Sequence, residues 1–480
     1  MKLLKVFCVL VLVFAVSAIA HAETQSVKVS GDITQRAFAR GDYDLDEGDP
    51  EAANGTESND WSTYLLSTVE VQVDADLTDN VSGVIRLINQ RVWGDGLYQS
   101  NPAGGELREI SQNGAVGVKA VAPGSADAFE VGVDLAYIEL KEFLYSPLTL
   151  RIGRQDLWFG KGFIIGANLN DIAGSIFPTE YTAVSSFDAV RATLDYDPWT
   201  IDAVYAKISE NARRSDDDIN LWGVNVGYVF DAYNAEAEAY WWFKDARNPG
   251  AGVGNSLNSI DGKCSNDVHV MGGRGSFDPI EDWTIAVEGA YQLGRYMVAS
   301  QVDRRERSAW ALDAMIECRY WQDDFAWRPV MGVEYVFYSG NENMGNQLAT
   351  TSGDWKGWDP MYRGKFDTAI REFQNSFYAT AMASSPSYTN QHQLLVTGVV
   401  EPTDSLTFKA KYGHFWLAED WSSTNTDKNV GDEVDLLLTW DYTEDVQFSL
   451  LTAWFFPGDH FDGGQDSAAT DIVGSVKLSF

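Results

Sequence analysis

The chain has 480 residues, with 35 Lys and Arg set against 70 Asp and Glu, a net charge of −35. Such acidity excludes nucleic acid as a partner, because phosphate binding needs a basic face, and three Cys cannot frame a disulfide scaffold in a chain this long. An apolar share of 45% excludes disorder but leaves an oddity, 13% aromatic residues in so acidic a chain.

Residues 1–22 read as a secretory signal, and 23–480 as one domain. Lys2 and Lys5 form the charged start, Val6 to Ile19 the apolar run, and Ala20-His21-Ala22 the small-residue cleavage site before Glu23. The run is short for a membrane-spanning helix. Removing the segment takes the charge from −35 to −37 and leaves Cys264 and Cys318, expected as unpaired thiols. No later apolar stretch reaches about 18 residues. The mature chain is therefore either soluble outside the cytoplasm or a closed membrane barrel.

Period-two alternation decides for the barrel. It predicts strands near 26–39, 63–75, 80–92, 133–142, 148–156, 187–196, 199–208, 219–230 and 234–244. The second half adds 268–277, 283–295, 309–321, 327–338, 392–400, 405–415, 432–441, 445–455 and 470–480, about eighteen in all. In the strand near 432–441, Val434, Leu436, Leu438 and Trp440 share one face, with Glu433, Asp435 and Thr439 on the other. Trp222, Tyr228, Trp241, Trp283, Tyr291, Trp310 and Trp440 fall near strand ends, as the two interfacial girdles of a barrel require. Short turns such as Asp197-Pro198 and Glu401-Pro402-Thr403-Asp404 alternate with long connections at 93–132, 157–186, 245–267 and 339–391. Tight periplasmic turns and long outer loops produce that rhythm; a sandwich does not. The expected fold is an all-β transmembrane antiparallel barrel of about eighteen strands in the outer membrane, in contact with its lipid and lipopolysaccharide.

The last strand, Val476-Lys477-Leu478-Ser479-Phe480, ends on an aromatic residue and resembles the carboxyl-terminal signal read by the barrel-assembly machinery. The stretch Leu150-Arg151-Ile152-Gly153-Arg154-Gln155-Asp156-Leu157, then Gly160, Gly162 and Gly166, precedes Ser186-Phe187-Asp188-Ala189-Val190-Arg191. With Gly431-Asp432-Glu433-Val434-Asp435-Leu436 and Pro457-Gly458, these motifs resemble the alginate-export family of outer-membrane barrels. The resemblance is firm over 148–208 and 431–480 and architectural elsewhere. It implies a monomeric barrel of eighteen strands that passes an anionic polysaccharide or, in some members, smaller solutes. It also implies that Arg151, Arg154, Asp188 and Arg191 line or buttress the pore.

With the apolar faces assigned to lipid, the inward set includes Arg86, Glu139, Lys141, Arg151, Arg191, Asp195, Glu288, Arg319, Glu334, Lys409 and Lys411. Roughly thirteen acids meet ten bases over the whole wall, a nearly balanced lining for a water-filled pore. Arg154 and Asp188 fall on the lipid parity of their strands, which points to a bulge or to positions above the bilayer. Phe366, Ile370, Phe373 and Phe377 share one helical face within the loop 339–391. That face either folds into the lumen as a constriction or packs on neighbouring loops.

Acids concentrate in the outer loops. Asp42, Asp44 and Asp46 approach a calcium-loop pattern, but Glu47 replaces the needed Gly and Ala53 the bidentate Glu, so an EF-hand is out and only loose divalent binding stays open. The mature histidines, His269, His392, His414 and His460, make no catalytic or metal spacing. No enzyme, resident metal or cofactor is expected. The expected function is passive passage of small hydrophilic solutes. A conduit for a secreted anionic polysaccharide and a loop-plugged structural barrel remain as alternatives.

Overall fold

A computed structural model describes residues 25–43, 45, 61–93, 107–110, 116–119, 131–168, 181–210, 218–247, 265–297, 304–319, 325–342, 353–365, 367–373, 388–461 and 466–480. The signal segment 1–22, the acidic pattern from Asp44 to Ala53 (Leu45 apart), Cys264, Phe366 and Phe377 lie outside these residues.

Alternating segments become strands because an extended backbone sends successive side chains to opposite sides. The first are β1 (Ser26–Gly41), β2 (Trp61–Thr78) and β3 (Val81–Val92). A separate hairpin follows, β4 (Leu107–Ile110) with β5 (Val116–Lys119). Then come β6 (Gly132–Leu140), β7 (Leu148–Gln155), β8 (Phe187–Tyr196), β9 (Trp199–Ser209), β10 (Ile219–Val229) and β11 (Glu236–Arg247). Next are β12 (Ser265–Ile280), β13 (Trp283–Met297), β14 (Arg304–Cys318) and β15 (Val330–Tyr338). A short helix α1 (Ala369–Phe373) precedes β16 (Gln391–Thr403) and β17 (Leu406–Leu417). The chain ends with β18 (Asn429–Asp441), β19 (Val446–Pro457) and β20 (Ala469–Ser479).

Eighteen of these strands form one antiparallel sheet in which each pairs with its sequence neighbour, and β1 pairs with both β2 and β20. The sheet is therefore a closed barrel with no free edge, the form in which strands satisfy their backbone in lipid. At the seam Phe480 and Gly31 exchange backbone N–H···O bonds in both directions, each 3.0 Å long.

Ile85, Leu87, Ile138, Val224, Met271, Val287, Val333 and Leu436 are exposed on the outer surface, where lipid meets them. Tyr205 and Trp222, 4.2 Å between ring centroids, belong to the outer half of that surface. Trp199 with Tyr228, and Trp440 with Phe448, lie beside the short turns at the other end. Among the described residues no helix is long and apolar enough to cross a membrane.

One irregularity matters for the site. Between β3 and β6 the register shifts so that Asp134 is the extra residue of a β-bulge. Nearby in β7, Gly153 takes φ +126°, and a Cβ there would stand 2.2 Å from the Ala136 carbonyl oxygen, so only glycine fits.

Candidate functional site: a lumen crossed by two segments

The connection after β7 turns inward. Leu157, Phe159, Phe163, Ile164 and Ile165 are buried together with Trp242 of β11, Val268 and Val270 of β12 and Tyr338 of β15. Phe159 lies 4.8 Å from Trp242 and Phe163 5.6 Å from Tyr338, centroid to centroid. At its far tip Lys161 places Nζ 2.8 Å from Asp313 Oδ2 of β14 and also contacts Glu334 of β15. Since β15 stands eight places round the ring of eighteen from β7, this segment crosses the lumen.

The connection between β15 and β16 turns inward from the opposite side. Trp355 extends β14 as a short parallel bridge to Arg307, with N–H···O bonds from Ser308 and to Glu306. Asp359 then accepts from Lys244 Nζ of β11 at 2.5 Å, and its Oδ2 lies 3.9 Å from Arg307. Burial alone would raise the Asp359 pKa, but Lys244 and Arg307 outweigh it and hold the carboxyl below its ordinary range.

The two segments meet in mid-lumen through their backbones. Gly166 and Ala167 N–H donate to Tyr362 O at 2.6 and 3.0 Å, Tyr362 N–H to Ile164 O at 3.1 Å, and Gly364 N–H to Gly162 O at 2.7 Å. Glycine permits the approach: a Cβ on Gly166 would lie 2.7 Å from the Gly364 backbone.

Past the crossing, the strap docks on the far wall through α1. Thr368 Oγ1 and Arg371 N–H donate to Glu433 Oε2, Ile370 N–H to Glu433 Oε1 at 2.6 Å, and Ala369 N–H to Asp435 Oδ2 at 3.0 Å. Two wall carboxylates of β18 thus satisfy N–H groups at the start of a one-turn helix. Of the four residues expected on one helical face, Ile370 is fully buried among Leu395, Phe415, Val430 and Phe455. Phe373 closes α1, which spans five residues rather than the full 366–377 pattern; Phe366 and Phe377 lie outside the described residues.

The wall charges pair across neighbouring strands. Arg86 contacts Asp134 at the bulge and lies 3.5 Å from Asp156 and from Glu70. Arg151 binds Glu139 at 2.5 Å, with Lys141 3.7 Å from the same carboxylate. Arg191 binds Asp202 at 2.8 Å and Arg274 binds Glu236 at 2.5 Å and Glu238 at 3.0 Å, while Arg319 contacts Glu317 two residues before it at the end of β14. Glu288 accepts from Tyr240 Oη at 2.8 Å beneath the Gly160 turn. Asp195 sits near the periplasmic end of β8. Lys411 faces Asp435 and Thr397 in register, and Lys409 faces Leu437 and Val399.

Arg154 and Asp188 are register partners 3.8 Å apart, on the parity of the exposed Ile152 and Val190 and therefore outward. Arg154 Nε reaches the carbonyl of Asp134 at 3.1 Å, which ties this outward pair to the bulge. His392 and His414 also lie outward, on either side of Trp416 at 5.1 and 5.2 Å.

Sequence reasoning did not single out Lys161, Asp134, Asp156 or Asp359. The glycines at 160, 162, 166 and 364 were a legible signal, since clustered glycine in a loop marks close backbone approach.

Residues 46–475 match the family described as alginate export. Crystal structures of Pseudomonas aeruginosa proteins share the architecture at low identity. OccK9 (OpdG) superposes with TM-score 0.54 at 12% identity, over 95% of this chain and 99% of that one. OpdQ gives 0.52 at 12%, over 96% and 99%. OccK2 (OpdF) in complex with glucuronate gives 0.50 at 10%, over 96% and 99%. No curated protein matches the sequence. With a match over most of its length and a closed barrel of eighteen strands, the chain belongs to the alginate-export family and is an outer-membrane β-barrel channel.

Proposed function

We propose that the protein passes small hydrophilic solutes passively through a lumen narrowed by its own two inward segments. The observation that carries this reading is the backbone joint between 162–167 and 362–364, which spans the interior where a wide conduit would need clearance. A barrel of this size leaves an aqueous channel unless its loops fill part of it. The inward wall charges Arg86, Glu139, Lys141, Arg151, Arg191, Asp195, Glu288, Arg319, Glu334, Lys409 and Lys411 then line or buttress the path, and the outward pair Arg154 and Asp188 braces the strand junction beside it. Ile370, buried against the wall, anchors the strap that forms the constriction. No step of this function requires catalysis.

The family match favours a second reading, passage of an anionic polysaccharide, which requires the strap to leave the lumen. OccK2, similar in fold, was crystallised in complex with glucuronate, and a small uronate is the first probe we would offer this channel. Phe480 is read as the residue presented to the assembly machinery, and lipopolysaccharide as the outer-leaflet neighbour.

Planar-bilayer recording tests the reading. Wild-type protein should give small, discrete conductance steps, and deleting 360–385 should enlarge them. An unchanged step size after the deletion rejects the constriction. A wild-type protein that forms no channels favours a loop-plugged barrel.

A further inference from the structure

The charges of the lumen wall are not equivalent once their partners are compared. Arg86, Arg151, Arg191, Arg274 and Lys161 each touch at least one carboxylate. A paired charge presents a dipole, whose field fades over a few ångströms, and it contributes little to the potential a passing ion feels.

Lys409 differs. It lies on the inward parity of β17, two residues below Lys411 and on the same side as fully buried Phe415, while Phe408 and Tyr412 are exposed outward. Its register partners on both flanks are apolar, Val399 of β16 and Leu437 of β18. It is solvent-exposed and, among the described residues, makes no hydrogen bond or ion pair. Lys411, a like charge, and the acids Asp435 and Glu334 act on it from a distance, and each acid already faces another cation: Asp435 has Lys411 opposite in register and Glu334 is held by Lys161. Those two acids are among the wall residues on which the inward segments rest, with Glu433 and Asp313. Lys409 therefore stands beside the narrowed zone, whereas Lys28 has Asp74 directly opposite and Asp195 sits at a strand end.

We propose that Lys409 sets the charge selectivity of the pore, as an unneutralised cation beside the constriction that favours small anions over cations. This rests on the channel reading above. A unit charge about 7 Å from a permeating ion in water changes its local concentration about threefold, in opposite senses for anions and cations. A single such residue is thus sufficient to set a preference of several-fold, and salt screens it with a length of about 10 Å at 0.1 M.

The test is the reversal potential of single channels in a KCl gradient for wild type, Lys409→Arg, Lys409→Gln and Lys409→Glu. Wild type and Lys409→Arg should prefer chloride. Lys409→Gln should lower the chloride-to-potassium permeability ratio several-fold, and Lys409→Glu should invert the preference. The differences should shrink in 1 M salt. Channels whose ratio stays within twofold of wild type in Lys409→Glu overturn the proposal and leave the channel reading standing. Wild-type protein that inserts, folded by circular dichroism, yet conducts nothing overturns both.

Discussion

Replacing Lys161 by Met removes the cation that pins the first inward segment to the opposite wall. The perturbation leaves Asp313 and Glu334 facing each other with side chains 5% and 15% exposed. Breaking a buried ion pair by deleting one partner costs about 3–5 kcal/mol, because the remaining charge is stranded. Every 1.4 kcal/mol is tenfold in an equilibrium, so the undocked population of 157–167 should rise by a factor on the order of 100 or more. Burial of Phe159, Phe163, Ile164 and Ile165 persists, so the segment should hop between docked and undocked states rather than stay free. Single-channel recording reads this directly, as brief excursions above the wild-type conductance level. Lys161→Arg should suppress the excursions. A triple variant combining Lys161→Met, Asp313→Asn and Glu334→Gln should suppress most of them, since replacing the whole charged cluster removes the stranded carboxylates. If Lys161→Met records are as quiet as wild type at equal conductance, then the tip contact does not hold the segment, and the reasoning fails.

Four further outcomes follow from the same geometry. The Lys161 cation should hold until strong alkali: burial lowers its pKa, but Asp313 and Glu334 outweigh that and raise it, so its contribution is present below the ordinary lysine value of about 10.4 and is lost as pH rises through the higher folded value. In acid the same contact should loosen as Asp313 and Glu334 take up protons. Asp359 behaves oppositely. Its depressed pKa makes its contribution complete above the ordinary value of about 3.9 and lost as pH falls through the lower folded value, so channel noise recorded from pH 10 to pH 2 should stay flat until the acid end. Gly166→Ala should loosen the mid-lumen joint, at a cost of about 1–3 kcal/mol for forced overpacking, and raise mean conductance; unchanged conductance would argue that the joint does not bound the path. Leu436→Arg on the lipid face should cost about 2–4 kcal/mol in denaturant unfolding from liposomes if near the midplane, whereas Thr439→Arg on the inward parity should cost much less; equal costs would refute the assignment of faces.

Much of the fold was legible because a barrel strand writes its two faces into alternate residues. The eighteen expected strands are the eighteen strands of the ring, and the rhythm of short and long connections follows from both ends of the chain meeting at one side. The contents of the lumen were less so. Nothing local in Glu433 or Asp435 distinguishes carboxylates that together receive three backbone N–H groups from ones that face water, since the difference is set by a loop 62 to 66 residues earlier in the chain. Lys161 lies between two glycines in a loop, where charge usually means solvent, and its partners follow more than 150 residues later. Arg154 and Asp188 were visible as charges on the lipid parity of their strands, and since β7 keeps unbroken register with β6 and β8 they do face outward, where Arg154 meets the carbonyl of Asp134 at the neighbouring bulge. Periodicity reports which side of a strand a residue occupies. It carries no information about what is folded against that side.

The segment tipped by Lys161 starts on one wall and ends against strands nearly half the ring away, and the second segment meets it before reaching a third sector. Mechanically the pair is a set of cross-braces inside a hoop. An empty barrel flexes most easily by ovalising, with opposite walls approaching and receding together, and bonds spanning the diameter resist that mode where bonds along the wall do not. Variants that free the braces should therefore soften the whole cylinder, making its cross-section responsive to bilayer thickness and lateral pressure.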